Sequence, residues 1–243
     1  CGGAFNGCGY LSTINFPERL ETIGSSAFSN CDSLTDIVLP DSLMTIDNYA
    51  FSECDKLTNI DFGEGVTYIG WYTFENCPKI KSITIPDSVT EIGNYAFRNC
   101  TTLQTLTVGN GVTIIGSSAF NDCKELTTVS LGNKLIEICG GAFNGCAYLS
   151  TINFPERLET IGSSAFSDCS SLTNITIPES VTSIGSGAFS DCSSLTSITI
   201  PDSVTDIRER AFSNTGYYND ESNWENGILY VGKHLIEAKK ISV

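Results

Sequence analysis

The chain has 243 residues, 41% of them hydrophobic and only 17% charged, and 28 acids against 13 bases leave a formal net charge of −15. That much negative charge is repelled by phosphate backbones and makes nucleic acid a poor partner. A single histidine excludes a histidine-built metal cluster, and no run of about 18 apolar residues is present to cross a membrane as a helix.

Read in order, the chain opens on Cys1-Gly2-Gly3-Ala4-Phe5 and then repeats itself. Phenylalanine returns at Phe5, Phe28, Phe51, Phe74, Phe97, Phe120, Phe143, Phe166, Phe189 and Phe212, every step being 23 residues. Three residues after each comes Cys8, Cys31, Cys54, Cys77, Cys100, Cys123, Cys146, Cys169 or Cys192, and only Thr215 breaks this column. Within one copy the first apolar group is Leu172, Ile175 and Ile177, an alternation rich in Ile and Thr that predicts a strand. A turn follows at Pro-Asp-Ser, Pro-Glu-Ser or Gly-Asn-Gly. A second short extended piece follows, as in Val89-Thr90-Glu91-Ile92. Glycine comes next, at 24, 70, 93, 116, 162 and 185, and suggests a bend at positive φ. The Ala-Phe-x-x-Cys piece is too short for a full helix and predicts one helical or 3₁₀ turn. One copy buries too few side chains to offset the entropy of ordering it, so the copies must stack on one another as a solenoid.

Taken together, the unit L-x-x-I-x-I-P-x-S-V-T-x-I-G-x-x-A-F-x-x-C resembles the BspA-type leucine-rich repeat, also called the Treponema pallidum type, over about residues 1–215. The resemblance implies a β-rich leucine-rich-repeat solenoid of ten 23-residue coils with a parallel sheet on one face and short helical or 3₁₀ turns. It also implies a bacterial secreted or cell-surface protein, since members of this family are associated with adhesion and the binding of host proteins. It carries no catalytic residue to transfer.

Residues 1–35 match residues 139–173 at 32 of 35 positions, which speaks for block duplication and against many positions tuned to one ligand. The start in mid-repeat leads us to expect a fragment of a longer protein, with an open sheet edge able to pair end to end with another copy. After residue 215 the pattern stops. A polar stretch with Tyr217, Tyr218 and Trp224 precedes Ile228-Leu229-Tyr230-Val231, Gly232-Lys233 and His234-Leu235-Ile236, which read as a β-hairpin. We therefore divide the chain into a solenoid, 1–215, and a divergent hairpin element, 216–243, that caps the array or bridges to further repeats.

The side chains sort as follows. Nine equivalent cysteines face the same way and cannot pair completely, so they read as buried thiols rather than a disulfide ladder. No Cys-x-x-Cys is present for zinc. Cys1 reads as an ordinary repeat residue, because the same string recurs at Cys139. Glu18, Asp41, Glu64, Asp87, Glu156, Glu179 and Asp202 share a turn position, where they favour the turn and solubility over calcium binding. The outward strand pairs, from Thr13 and Asn15 to Ser197 and Thr199, form a Thr/Ser/Asn carpet compatible with a sheet. His234 flanks a turn. Tyr49, Tyr72 and Tyr95 occupy one position of three successive copies, with Tyr68 and Trp71 nearby, and form the candidate binding surface. No catalytic motif or phosphate loop is present, so we expect no catalytic residue, no metal and no cofactor. The expected function is a non-enzymatic extracellular or cell-surface module for adhesion or protein recognition. Its partner is a host or matrix protein, or a glycan. A structural spacer and a carbohydrate-binding module are the alternatives.

Overall fold

The computed structural model describes residues 2–238, in which each 23-residue repeat forms one coil of a β-solenoid. The coil at 80–100 shows how the residues set its shape. In the strand Ser82–Ile85 the apolar Ile83 and Ile85 point inward while Ser82 and Thr84 face solvent. Pro86 turns the chain, closed by the Val89 N–H donating to the Pro86 carbonyl at 3.2 Å. The short strand Glu91–Ile92 buries Ile92. Ala96, Phe97 and Cys100 then close the coil, all fully buried. This last corner is a pair of turns with i→i+3 hydrogen bonds, Ala96 to Gly93 and Cys100 to Phe97. Two left-handed residues, Tyr95 and Asn99, interrupt it and prevent a helix from propagating.

The sheets divide differently from their strength in the sequence. The two-residue strands, from Thr22–Ile23 to Asp206–Ile207, form one continuous parallel sheet of nine strands, each paired with its equivalent 23 residues on. The longer alternating strands form three separate groups instead. These are Asp36–Val38 with Asn59–Asp61, then Ser82–Ile85 with Thr105–Val108 and Thr128–Ser130, then Asn174–Thr176 with Ser197–Thr199. Both interruptions border a coil whose last strand position is phenylalanine, Phe62 or Phe154, with its ring packed edge-on against Phe74 or Phe166. Ten phenylalanines stack but nine strands pair among the described residues, because residues 2–8 supply only the closing corner of a coil.

The glycine column corrects one expectation. Gly70, Gly93, Gly116, Gly162 and Gly185 do not have positive φ. They are required because the backbone of the preceding coil lies against them: a Cβ on Gly93 would sit 2.7 Å from backbone atoms of Ile69 and Gly70. Positive φ falls two residues later, at Tyr72, Tyr95, Ser118 and Ser164.

One hydrophobic core runs the length of the stack. Its centre is a column of phenylalanine rings from Phe5 to Phe212, with successive centroids 5.0–5.5 Å apart and planes within 11° of parallel. Beside it each thiol of the column from Cys31 to Cys192 donates to the carbonyl of the phenylalanine one coil back, Cys54 to Phe28 and Cys100 to Phe74 at 3.3 Å among them. These cysteines are thus more than small apolar fillers: each supplies a donor to a carbonyl of the neighbouring coil. Burial pushes the thiols of Cys77, Cys100 and Cys123 well up from their ordinary value, and that of Cys54 up to about 12. Cys1, and the end of the hairpin element at 239–243, lie outside the described residues.

The array ends where Thr215 replaces the thiol. Its hydroxyl turns to Phe212 of its own coil, donating to that carbonyl at 2.9 Å, and accepts the Tyr218 N–H at 3.0 Å. That caps the short helix Gly216–Asn219 and leads the chain out of the coil. A three-stranded antiparallel sheet follows, Trp224–Glu225, Ile228–Val231 and His234–Ala238, one strand more than the expected hairpin. Val231 joins the core, His234 Nε2 lies 3.1 Å from the Pro201 carbonyl, and Lys233 pairs with Asp202 at 2.9 Å, so the element covers the last coil.

Two measurements check this packing. Gly93→Ala, at a negative φ where alanine is ordinarily neutral or stabilising, is expected to destabilise by roughly 1–3 kcal/mol in urea unfolding, the usual cost of overpacking. The second is alkaline. A thiol whose pKa is raised by folding keeps its proton longer in the native state, so its stabilisation is complete below the unfolded thiol pKa of about 8.5 and is lost above it. The unfolding midpoint is expected to hold between pH 7 and 8 and to fall steeply by pH 10, by up to about 1.4 kcal/mol per pH unit for each buried thiol.

Candidate interaction surface

The corner that follows the glycine column places one residue per coil in the left-handed region. The row reads Ser26, Tyr49, Tyr72, Tyr95, Ser118, Gly141, Ser164, Gly187 and Arg210, with φ between 53° and 66°. Most copies fill it with Ser or Gly. A bulky L-residue there costs on the order of 1–2 kcal/mol in backbone energy, yet three successive coils carry tyrosine.

Their rings recover part of that cost by stacking. Tyr49 and Tyr72 lie 4.7 Å apart at 4°, and Tyr72 and Tyr95 lie 4.5 Å apart at 6°. The row is closed at one end by Arg98, whose guanidinium sits 5.7 Å from the Tyr95 ring centre and 3.4 Å from Glu75. Tyr49 at the other end is 42% exposed, and its neighbour in the row is only Ser26. Burial, then the neighbouring tyrosines and Glu75, raise the Tyr72 hydroxyl above its ordinary value. Alongside runs a second ladder, in which Asn99 Nδ2 donates to Asn76 Oδ1 at 2.8 Å and Asn76 donates in turn to Glu53.

The structure separates the five candidate residues. Tyr49, Tyr72 and Tyr95 form the stack. Trp71 is their chain neighbour, 47% exposed, with its backbone fixed by the Asn48 side chain, which accepts the Trp71 N–H at 2.8 Å. Tyr68 lies on the nine-stranded sheet between Thr45 and Glu91, half-buried, and is not part of the stack. Arg98 and Glu75 were not singled out from sequence. Their opposite charges stand 23 residues apart, which is the signal that pairs them.

The remaining candidates have structural partners. In the acidic column the Glu64 N–H donates to Asp41 Oδ1 at 3.0 Å, and the Asn110 N–H to Asp87 Oδ1 at 2.6 Å. Asp41 and Asp87 thus tie their turns to the next coil. No group of three or more His, Cys, Asp or Glu placed to hold a metal ion occurs among the described residues. The Thr/Ser/Asn carpet is exposed along the solenoid and offers no large side chain.

Comparison with known proteins agrees with this architecture. Residues 2–104 and 90–219 match the family described as the BspA type leucine rich repeat region, with six copies of its unit. A leucine-rich repeat protein from Bacteroides ovatus superposes with a TM-score of 0.81 at 34% identity, over 88% of this chain and 55% of that one. This chain thus spans just over half the length of that protein. A T. pallidum leucine-rich repeat protein gives 0.49 at 32% identity, covering 55% of this chain and 69% of that one. A leucine-rich cell surface protein from Faecalibacterium prausnitzii gives 0.48 at 28% identity, covering 84% and 76%. No curated protein matches the sequence.

The strain at the tyrosine row has a measurable sign. Because Tyr72 has a φ of 58°, Tyr72→Gly is expected to be more stable than Tyr72→Ala by about 1 kcal/mol in urea unfolding, the reverse of their order in ordinary backbone.

Proposed function

Because this chain belongs to the BspA-type leucine-rich repeat family, we propose that it is a non-enzymatic recognition module of an extracellular or cell-surface protein, which docks a protein partner on its tyrosine row. The observation that carries this reading is the stack of Tyr49, Tyr72 and Tyr95, partly exposed and held at positive φ in three adjacent coils. Trp71 adds a second large exposed ring beside it. Rigid aromatic side chains of this kind are the anchors on which protein interfaces concentrate their binding energy. The stacking also narrows what the row can hold. Inner ring faces are occupied by one another, so the row offers ring edges, hydroxyls and the Trp71 surface, which suit a protein better than a chain of sugars stacked face on. No helix among the described residues is long and apolar enough to cross a membrane, and the family's association with surface proteins supports the location.

The test is adhesion of the purified chain to matrix proteins coated on a surface, read by surface plasmon resonance. The parent is expected to bind, and the double variant Trp71→Ala with Tyr72→Ala to lose at least tenfold in affinity, the effect of removing about 1.4 kcal/mol or more of hot-spot energy. Equal binding by the variant would remove the row from the interface. An inert parent would favour a structural spacer, a role that the near-identity of 1–35 and 139–173 also suits.

A further inference from the structure

We propose that the cleft between the last coils and the C-terminal element binds a neutral saccharide. It measures about 500 Å³, within the range of roughly 300–1,000 Å³ usual for small-ligand sites. Here the repeat is broken on two sides. In the left-handed row Gly187 stands between Ser164 and Arg210, so one side chain is missing from the wall. Thr215 then ends the array and swings Tyr218 to the rim.

The groups left open in the cleft match a sugar. Tyr218 is held before any ligand arrives: its ring packs edge-on against Trp224 at 5.2 Å, and its carbonyl accepts the indole N–H at 2.7 Å. Asp191 is oriented by Asn214, whose Nδ2 donates to Oδ1 at 2.9 Å, and Oδ2 remains to accept from a ligand. Arg210 is exposed and forms no ion pair among the described residues, leaving its guanidinium to donate. The hydroxyls of Ser164 and Ser213 both donate and accept. A saccharide presents alternating donors and acceptors around a ring with an apolar C–H face, which answers to the carboxylate, the guanidinium, the hydroxyls and the Tyr218 ring. A neutral ligand is favoured because Asp191 shares the cleft with Arg210 and the chain carries a net charge of −15. The cleft contains none of the residues of the tyrosine row, so it stands apart from the docking reading.

Isotope-labelled chain is titrated with maltose, cellobiose and chitobiose to about 10 mM, ten times a millimolar Kd, and followed by amide NMR. At least one disaccharide is expected to produce saturable shifts at Ser164, Gly187, Asp191, Arg210 and Tyr218. Arg210→Ala, an exposed change that leaves the core intact, is expected to weaken binding at least tenfold. Gly187→Tyr is expected to abolish it, by placing in this coil the side chain that the same row carries at Tyr49, Tyr72 and Tyr95. Tyr72→Ala should leave it unchanged. The proposal is overturned if none of the three sugars moves these amides, or if Arg210→Ala binds as the parent does. Shifts with inorganic phosphate or glucuronate alone would also overturn it, by making the cleft an anion site.

Discussion

Coils of this protein approach until the backbone of one lies against the backbone of the next. At Gly93 the contact leaves no room for a single methyl group. Everything else follows from that spacing. Hydrogen bonds run from coil to coil in one register, and the phenylalanine column keeps its 23-residue period without an insertion. Phenylalanine rings can stack because the same translation carries each onto the next. Thiols can reach the carbonyl one coil back because that carbonyl returns at a fixed offset. Stability in such an object is a sum over neighbouring coils rather than a property of one distant-contact core.

The periodicity of Phe97, Cys100 and Leu103 with their equivalents was enough to read the solenoid, the buried face and the free thiols. Local conformation was less legible. Glycine at 93 suggests positive φ when read alone, because freedom at φ is its commonest use. The crowding that actually requires it comes from Ile69 and Gly70, a full coil away. Tyr95 gives no hint of its left-handed backbone, since the residue type usually avoids that region and only the closed corner imposes it. The strands carry the same lesson. Ser82–Ile85 alternates strongly and reads as the main strand, whereas the weakly patterned Glu91–Ile92 belongs to the unbroken sheet. Alternation reports which side chains are buried, while ladder continuity depends on bulk at the flanking positions, such as Phe62 and Phe154.

Of the candidate surface, the alignment of Tyr49, Tyr72 and Tyr95 was visible in the repeat register. What was not visible was the closing of the row by Arg98 and Glu75, or the exclusion of Tyr68 to another face. The terminal cleft was hidden for a different reason. It is made where the repeat ceases, and positions such as Tyr218 have no equivalents from which a direction can be read. Thr215 was the clue, as the one departure from the cysteine column. Its hydroxyl makes a local bond to Phe212 where a thiol would have reached back a coil.

Equal coils also turn copy number into distance. Five coils separate Tyr95 from Arg210, about 24 Å at the spacing of roughly 4.8 Å expected for paired strands. A duplication of whole coils between them, of the kind left in the near-identity of the first and seventh copies, would move the two surfaces apart in identical increments without altering either. The molecule is in that sense a ruler whose graduations are inherited, and its length can evolve independently of what it carries.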